Sequence, residues 1–198
     1  MRIGVIAIQG NVEEHIESLK SALKQANREA QILKIKHKGV VPSCDALIIP
    51  GGESTTLGRF MEREGIACEI KTAARSGGVA IMGTCAGLVL LAKYGDEQVD
   101  KTNQALLGLM DIKVNRNAFG RQKESFESMI DFVGFKEPFR ALFIRAPCIT
   151  DCGKDVEILS TYNGVIVAAR ENKLLALAFH PELTDDPRIH HYFLKMIG

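Results

Sequence analysis

Apolar residues follow two different rhythms along this chain. In the first half, short apolar runs alternate with longer stretches of helical spacing. "RIGVIAI", "EAQILKI", "DALIIP" and "VAIMGT" have the length and content of buried strands. "NVEEHIESLKSALKQA" places Val12, Ile16, Leu19, Leu23 and Ala26 on one helix face. "STTLGRFMEREG" and "IACEIKTAARSG" read as further helices, each closed by a glycine. "CAGLVLLAKYG" reads as the helix after the fourth strand. Such alternation predicts an α/β fold: a mostly parallel central sheet flanked by helices.

The second half changes character. "DIKVNRN", "SFESMIDFV", "FRALFIRAP" and "EILSTYNGVIVAARENKLLALAFHP" are short strand-like runs divided by turn signals. Asn163-Gly164 is a strong hairpin signal, and Glu171-Asn172 marks a second turn. These runs predict an added antiparallel region joined to the main sheet. "DPRIHHYFLKMI" reads as a closing helix with Asp186 as N-cap and Pro187 in its first turn. With no internal repeat, low-complexity tract or linker, residues 1–198 are read as one domain.

Composition narrows the function classes. A hydrophobic share of 46% over 198 residues predicts a packed globule rather than a disordered chain. The net charge of +1 supplies no basic field for nucleic acid or for an acidic membrane surface. No apolar run has the length of a membrane span, and the apolar part of "MRIGVIAIQG" is short for a secretory signal. Five cysteines, an odd number without paired metal-ligand spacing, fit a reducing cytoplasm better than a disulfide framework or a metal site.

One cysteine stands apart. Cys85 lies between Gly83 and Gly87, after one apolar run and before another. A packing cysteine needs no glycine on either side, whereas a cysteine on a sharp strand-to-helix turn does. At the start of a helix the backbone dipole favours negative charge on sulfur. A nucleophile there needs a base, and in open α/β sheets that base belongs at the carboxyl end of another strand. His180 ends the run "LLALAFHPEL", and Glu182 stands two residues on, able to orient the imidazole. A Cys85–His180–Glu182 triad is the candidate catalytic set.

"PGGESTT", residues 50–56, follows a strand and opens a helix. Its N–H groups could converge on an anion or an oxyanion, or the glycines could serve only a tight turn, with Ser54 capping the helix. The Gly-Lys-Ser/Thr ending of a phosphate loop is missing. Cys44 and Cys68 have no partner in the pattern. Cys148 and Cys152 form "CITDC" without a second ligand pair. His15 reads as one of the polar residues of an amphipathic helix, and His190 and His191 as ordinary residues of the last one.

The elbow "GTCAG", the upstream "PGGES" and the late "FHPEL" together resemble class I glutamine amidotransferases. "IQGNVEEH", "PGGESTT", "NRNAFGRQ", "SFE", "FIRAP", "NGVIVAA" and "FHPELTDD" resemble more closely the glutaminase-subunit family of pyridoxal 5′-phosphate synthase, across essentially the whole chain. The resemblance implies hydrolysis of L-glutamine to glutamate and ammonia, with ammonia passed to a separate synthase subunit, and no cofactor. It implies Cys85 as nucleophile, His180 as base and Glu182 as its orienter. It assigns the oxyanion to Ala86 and Gly52, and glutamine binding to Gly52, Glu53, Ser54, Arg116, Ile144 and Arg145. A glutaminase serving another ammonia acceptor is the alternative, against which "NRNAFGRQ" argues. Asn115 stands where relatives often carry an acid, and Cys148 where they often carry histidine.

The resemblance further implies activation by the synthase. Gln9 and Gly10 follow the first strand, beside the expected place of "PGGES" and the elbow. Gly10 tolerates angles closed to other residues, so the Gln9-Gly10 peptide could turn over to complete the oxyanion hole. The plainer reading, that Gly10 only permits a tight turn, stays open beside it.

Overall fold

A computed structural model describes residues 1–116 and 125–198. The first half forms β1 (Arg2–Ile6), α1 (Val12–Gln25), β2 (Gln31–Ile35), β3 (Ala46–Ile49), α2 (Ser54–Arg63), α3 (Ile66–Arg75), β4 (Ala80–Thr84) and α4 (Ala86–Leu91). The strands β2, β1, β3 and β4 lie side by side in that order, all parallel. Residues of β1, β3 and β4 such as Ile3, Val5, Leu47, Ile48, Ile81 and Met82 are fully buried, as continuous apolar runs require. α1 packs with α6 (Arg188–Ile197), while α2 packs with α3 and α4.

The second half adds β5 (Ala92–Tyr94), α5 (Glu97–Lys101), β6 (Met110–Asn115), β7 (Ser125–Ile130), β8 (Phe139–Ile144), β9 (Cys148–Cys152), β10 (Glu157–Tyr162), β11 (Val165–Glu171) and β12 (Leu174–Leu177). β12 joins β4 in parallel, and β11 and β9 continue the sheet antiparallel. The complete order is β2-β1-β3-β4-β12-β11-β9-β6-β5, with β10 paired to β11. The β10–β11 hairpin turns at Asn163 (φ 50°) and Gly164 (φ 79°), the paired positive angles of a type I′ turn. The cysteines of "CITDC" sit at the two ends of β9, both free thiols.

Three expectations need correction. The helix after the elbow ends at Leu91, and the chain leaves it directly into β5, whose Tyr94 pairs with Lys113 of β6. β7 and β8 do not join the main sheet; they form a separate antiparallel pair in which Phe126 stacks on Phe143. Pro187 is the boundary residue of α6, although the Asp186 carboxylate still accepts from the Arg188 N–H at 3.0 Å. The block "NRNAFGRQ" lies outside the described residues from 117 to 122.

Candidate active site

Four parallel strands deliver their carboxyl ends to one place. Thr84 of β4 pairs with Leu177 of β12, and Ile49 of β3 pairs with Gly83 of β4. Each strand then turns, and the loops after β1, β3, β4 and β12 meet there, where ligand sites of open α/β sheets lie.

Cys85 occupies the tightest of these turns. Its backbone sits at φ 50°, ψ −103°, an unusual conformation for a residue with a side chain. Its N–H donates to the Leu177 carbonyl at 2.8 Å, which ties the elbow to β12. The flanking glycines have a packing reason. A Cβ on Gly87 would overlap the Ile49 carbonyl, and one on Gly83 would stand 2.6 Å from Gly87 backbone atoms. α4 therefore rests almost directly on β3 and β4, a separation that no larger residue permits. The Cys85 sulfur lies 3.8 Å from the Ile144 carbonyl oxygen at the end of β8.

His180 follows β12 by three residues, and its N–H donates to the Leu142 carbonyl at 2.8 Å. Its ring is buried, with Nδ1 donating to Glu182 Oε1 at 2.7 Å. Burial works against a charge on the ring. Hydrogen bonds with Cys85 and Glu182, and the charge of both, outweigh it and push His180 up to about 10. Imidazole and sulfur thus form a contact in which His180 keeps a proton at neutral pH. Glu182 is also buried, which opposes its ionisation. The facing His15 and hydrogen bonds from His180 and Asn11 reverse this and hold it at about 2.

"PGGES" forms the opposite wall. Gly52 has φ 134°, with a tight approach to the Gln9 side chain. Glu53, and not Ser54, caps α2: its carboxylate accepts from Thr55 N–H at 3.0 Å and Thr56 N–H at 2.7 Å. Partial burial opposes its charge, but those bonds hold it at about 2. Ser54 is buried as the first helical residue and donates to Gln104 Oε1 at 3.2 Å. Arg116 reaches across to Glu53 Oε1 at 2.9 Å and Thr55 Oγ1 at 3.1 Å. Arg145 sits just past Ile144 at φ 43° with its side chain exposed. Ala86 opens α4, so its N–H belongs to the first turn, which has no intrahelical acceptor. Gly10 has φ 89°, a Cβ there would overlap the Gly51 carbonyl, and Gln9 Nε2 donates to the Glu53 carbonyl at 2.7 Å.

Three residues join the site without having been singled out for it. Asn11 donates from Nδ2 to Glu182 Oε1 at 3.1 Å. His15 and His190 are fully buried behind Glu182, which corrects their reading as ordinary helix residues. The signal was present: His15, Leu19, Ala22 and Leu23 share one face of α1, and His190, Phe193 and Leu194 one face of α6. His191 lies at the surface beside Gln25, as expected.

Fold and site together define the class: an α/β protein with a cysteine elbow backed by a histidine–carboxylate pair. The SNO glutamine amidotransferase family model matches residues 5–198, and the chain belongs to that family. It is 62% identical over 197 residues to "Pyridoxal 5'-phosphate synthase subunit PdxT" of Methanococcoides burtonii, covering 100% of this chain and 99% of that one. The protein of the same name from Archaeoglobus fulgidus is 55% identical over 196 residues, covering 99% and 98%. A crystal structure described as a glutamine amidotransferase superposes with a TM-score of 0.87 at 43% identity, covering 99% of this chain and 98% of that one.

Proposed function

We propose that this protein is the glutaminase subunit of pyridoxal 5′-phosphate synthase, releasing ammonia from L-glutamine for a separate synthase subunit. Its close likeness over the full chain to proteins named as that subunit supports the reading. The observation that carries the chemistry is the line from Cys85 through His180 to Glu182.

The Cys85 sulfur attacks the side-chain carbonyl carbon of glutamine, with its proton held on His180. The carbonyl oxygen gains the charge, which the N–H groups of Ala86 and Gly52 meet. His180 gives its proton to the departing nitrogen, ammonia leaves, and a thioester remains on Cys85. His180 then takes a proton from water, whose oxygen attacks the thioester. Collapse releases glutamate and returns the proton to the Cys85–His180 pair. Glu182 keeps the ring oriented throughout. Glu53, Ser54, Ile144, Arg116 and Arg145 surround the place for the substrate, the two arginines suiting its carboxylate. Among the described residues no helix is long and apolar enough to cross a membrane. The five free cysteines fit a reducing compartment, and on that ground we propose the cytoplasm.

The test is ammonia release from glutamine, with and without the synthase subunit, by wild type and Cys85→Ala. Wild type is expected to hydrolyse glutamine and Cys85→Ala to retain no turnover while still binding the synthase. Substantial residual turnover in Cys85→Ala overturns the nucleophile. Failure to bind the synthase redirects the ammonia to another acceptor.

A further inference from the structure

Two buried histidines take no part in the steps above. His15 of α1 and His190 of α6 are both at 0% exposure, packed edge to face with ring centroids 5.6 Å apart. Burial lowers the pKa of each, to about 3 for His190, so both rings are neutral at physiological pH. The titratable groups around them are Glu182, His180 and Glu14 for His15, and Glu182 and His191 for His190.

We infer that His15 is a positioning residue, whose Nε2–H holds the second carboxylate oxygen of Glu182 while His190 fixes the His15 tautomer. This rests on the reading of Cys85, His180 and Glu182 as the reacting triad. Glu182 Oε1 already accepts from His180 Nδ1 and Asn11 Nδ2. Glu182 Oε2 is sealed from solvent without a well-aligned donor. His15 Nε2 stands 3.4 Å from it, with Thr84 Oγ1 3.2 Å from the same nitrogen. A buried carboxylate oxygen is costly to leave unmet, and the His15 ring presents Nε2 to it at ion-pair distance.

Proton counting selects the tautomer. With the His15 proton on Nδ1, the Nε2 lone pair would face an anionic oxygen. His15 Nδ1 would then donate to His190 Nε2, 3.4 Å away, and force the His190 proton onto Nδ1. That atom is buried and has no partner, so a donor would be stranded. With the proton on His15 Nε2, the positive end of the N–H lies beside Glu182 Oε2 and within reach of Thr84 Oγ1. His190 then donates from Nε2 to His15 Nδ1, and its own Nδ1 is left as a bare lone pair. The second arrangement removes both the repulsion and the stranded donor. Once Oε2 is held, the carboxylate cannot swing away, and Oε1 stays on His180 Nδ1.

The test uses the full chain with its synthase partner for kinetics, and ¹⁵N-histidine NMR of the full chain for the His180 ring. In His15→Leu, kcat is expected to fall about tenfold or more, with KM for glutamine changed by less than about twofold. The His180 titration midpoint is expected to drop by roughly one pH unit, because a less firmly held carboxylate supports the imidazolium less. His15→Gln, which keeps an N–H near the Nε2 position, is expected to restore most of both. A folded His15→Leu with wild-type kcat and an unmoved His180 midpoint overturns the inference. So does a loss of activity that Gln does not restore and that leaves the midpoint in place. Should His15→Leu not fold, His190→Leu decides: it frees the tautomer and must lower the His180 midpoint, and an unchanged midpoint overturns the inference. The NMR readout needs no glutamine, so a wild type without glutaminase activity would sink the proposed function and leave this result standing.

Discussion

Gly51 is pressed against the ring of His180: a Cβ at residue 51 would stand 2.5 Å from Cε1, and 3.3 and 3.4 Å from the two ring nitrogens. Glu182 and Asn11 approach the ring from Nδ1. The imidazole is thus wedged between a backbone and a carboxylate. Gly51→Ala is expected to push the ring off its contact with Cys85 and to lower kcat by about a hundredfold, as ångström-scale misplacement of a reacting group does. Steady-state kinetics with circular dichroism as a folding check measures this, and near-normal kcat in a folded variant would show that the ring tolerates displacement.

His180 and Glu182 are proposed to do different things. In the proposed mechanism His180 exchanges protons with sulfur, ammonia and water, whereas Glu182 only orients and stabilises the ring. His180→Ala is expected to lose more turnover than Glu182→Gln, which keeps the shape and a hydrogen-bonding oxygen. Single-turnover assays with glutamine compare the two losses. Equal losses would mean that Glu182 does more than orient.

Much of this site is visible in the bare sequence, for local reasons. Gly83 and Gly87 bracket Cys85 because α4 approaches β3 and β4 so closely, and that constraint is written as small residues at fixed offsets. His180 and Glu182 are two residues apart in the chain, so their 2.7 Å bond needs only a turn. His15 is harder. Glu13, Glu14, Glu17 and Ser18 surround it in sequence, and only the helical period puts it on the buried face with Leu19 and Leu23. Its meeting with His190 joins residues 175 positions apart, which no local pattern encodes. The same holds for β7 and β8: their strand character is local, but leaving the main sheet is a choice of partner. The α2 cap moved by one residue because Glu53 folds its carboxylate back onto Thr55 and Thr56, a role that short side chains usually fill.

The buried rings also set the acid stability. His190 titrates near 6.5 when unfolded and at about 3 when folded, so between those values the unfolded chain binds the extra proton. Glu182 acts in the same direction between 4.5 and about 2. Stability therefore falls as pH drops below about 6.5, with a slope near 1.4 kcal/mol per pH unit for each such group. In His190→Leu the loss between pH 6.5 and 4.5 is expected to be shallower, while the steeper loss below 4.5 persists. Urea unfolding midpoints from neutral pH downward measure it. Parallel curves for wild type and variant would show that His190 is already protonated in the folded chain over that range.

The loop after β1 lies against the turn that carries Gly51 and Glu53. Gly10 touches the Gly51 backbone so closely that a Cβ would overlap it, and Gln9 Nε2 is bound to the Glu53 carbonyl at 2.7 Å. The Gly10 carbonyl accepts from Val12 N–H at 2.9 Å, which leaves the preceding Gln9-Gly10 peptide as the unit able to turn. Our hypothesis is that this peptide points away from the oxyanion in the free subunit and that docking of the synthase turns it inward. Removing a single oxyanion donor costs about two to three orders of magnitude in turnover, enough to serve as an off state. Glutamine hydrolysis by the isolated subunit is thus expected to be slower than in the saturated complex by roughly that factor, with most of the change in kcat. Gly10→Ala, strained at φ 89° with its Cβ overlapping the Gly51 carbonyl, is expected to disturb this loop and to lower turnover. Equal rates for free and complexed wild type would remove the switch, and an identical Gln9-Gly10 orientation in crystals of both states would place the activation elsewhere.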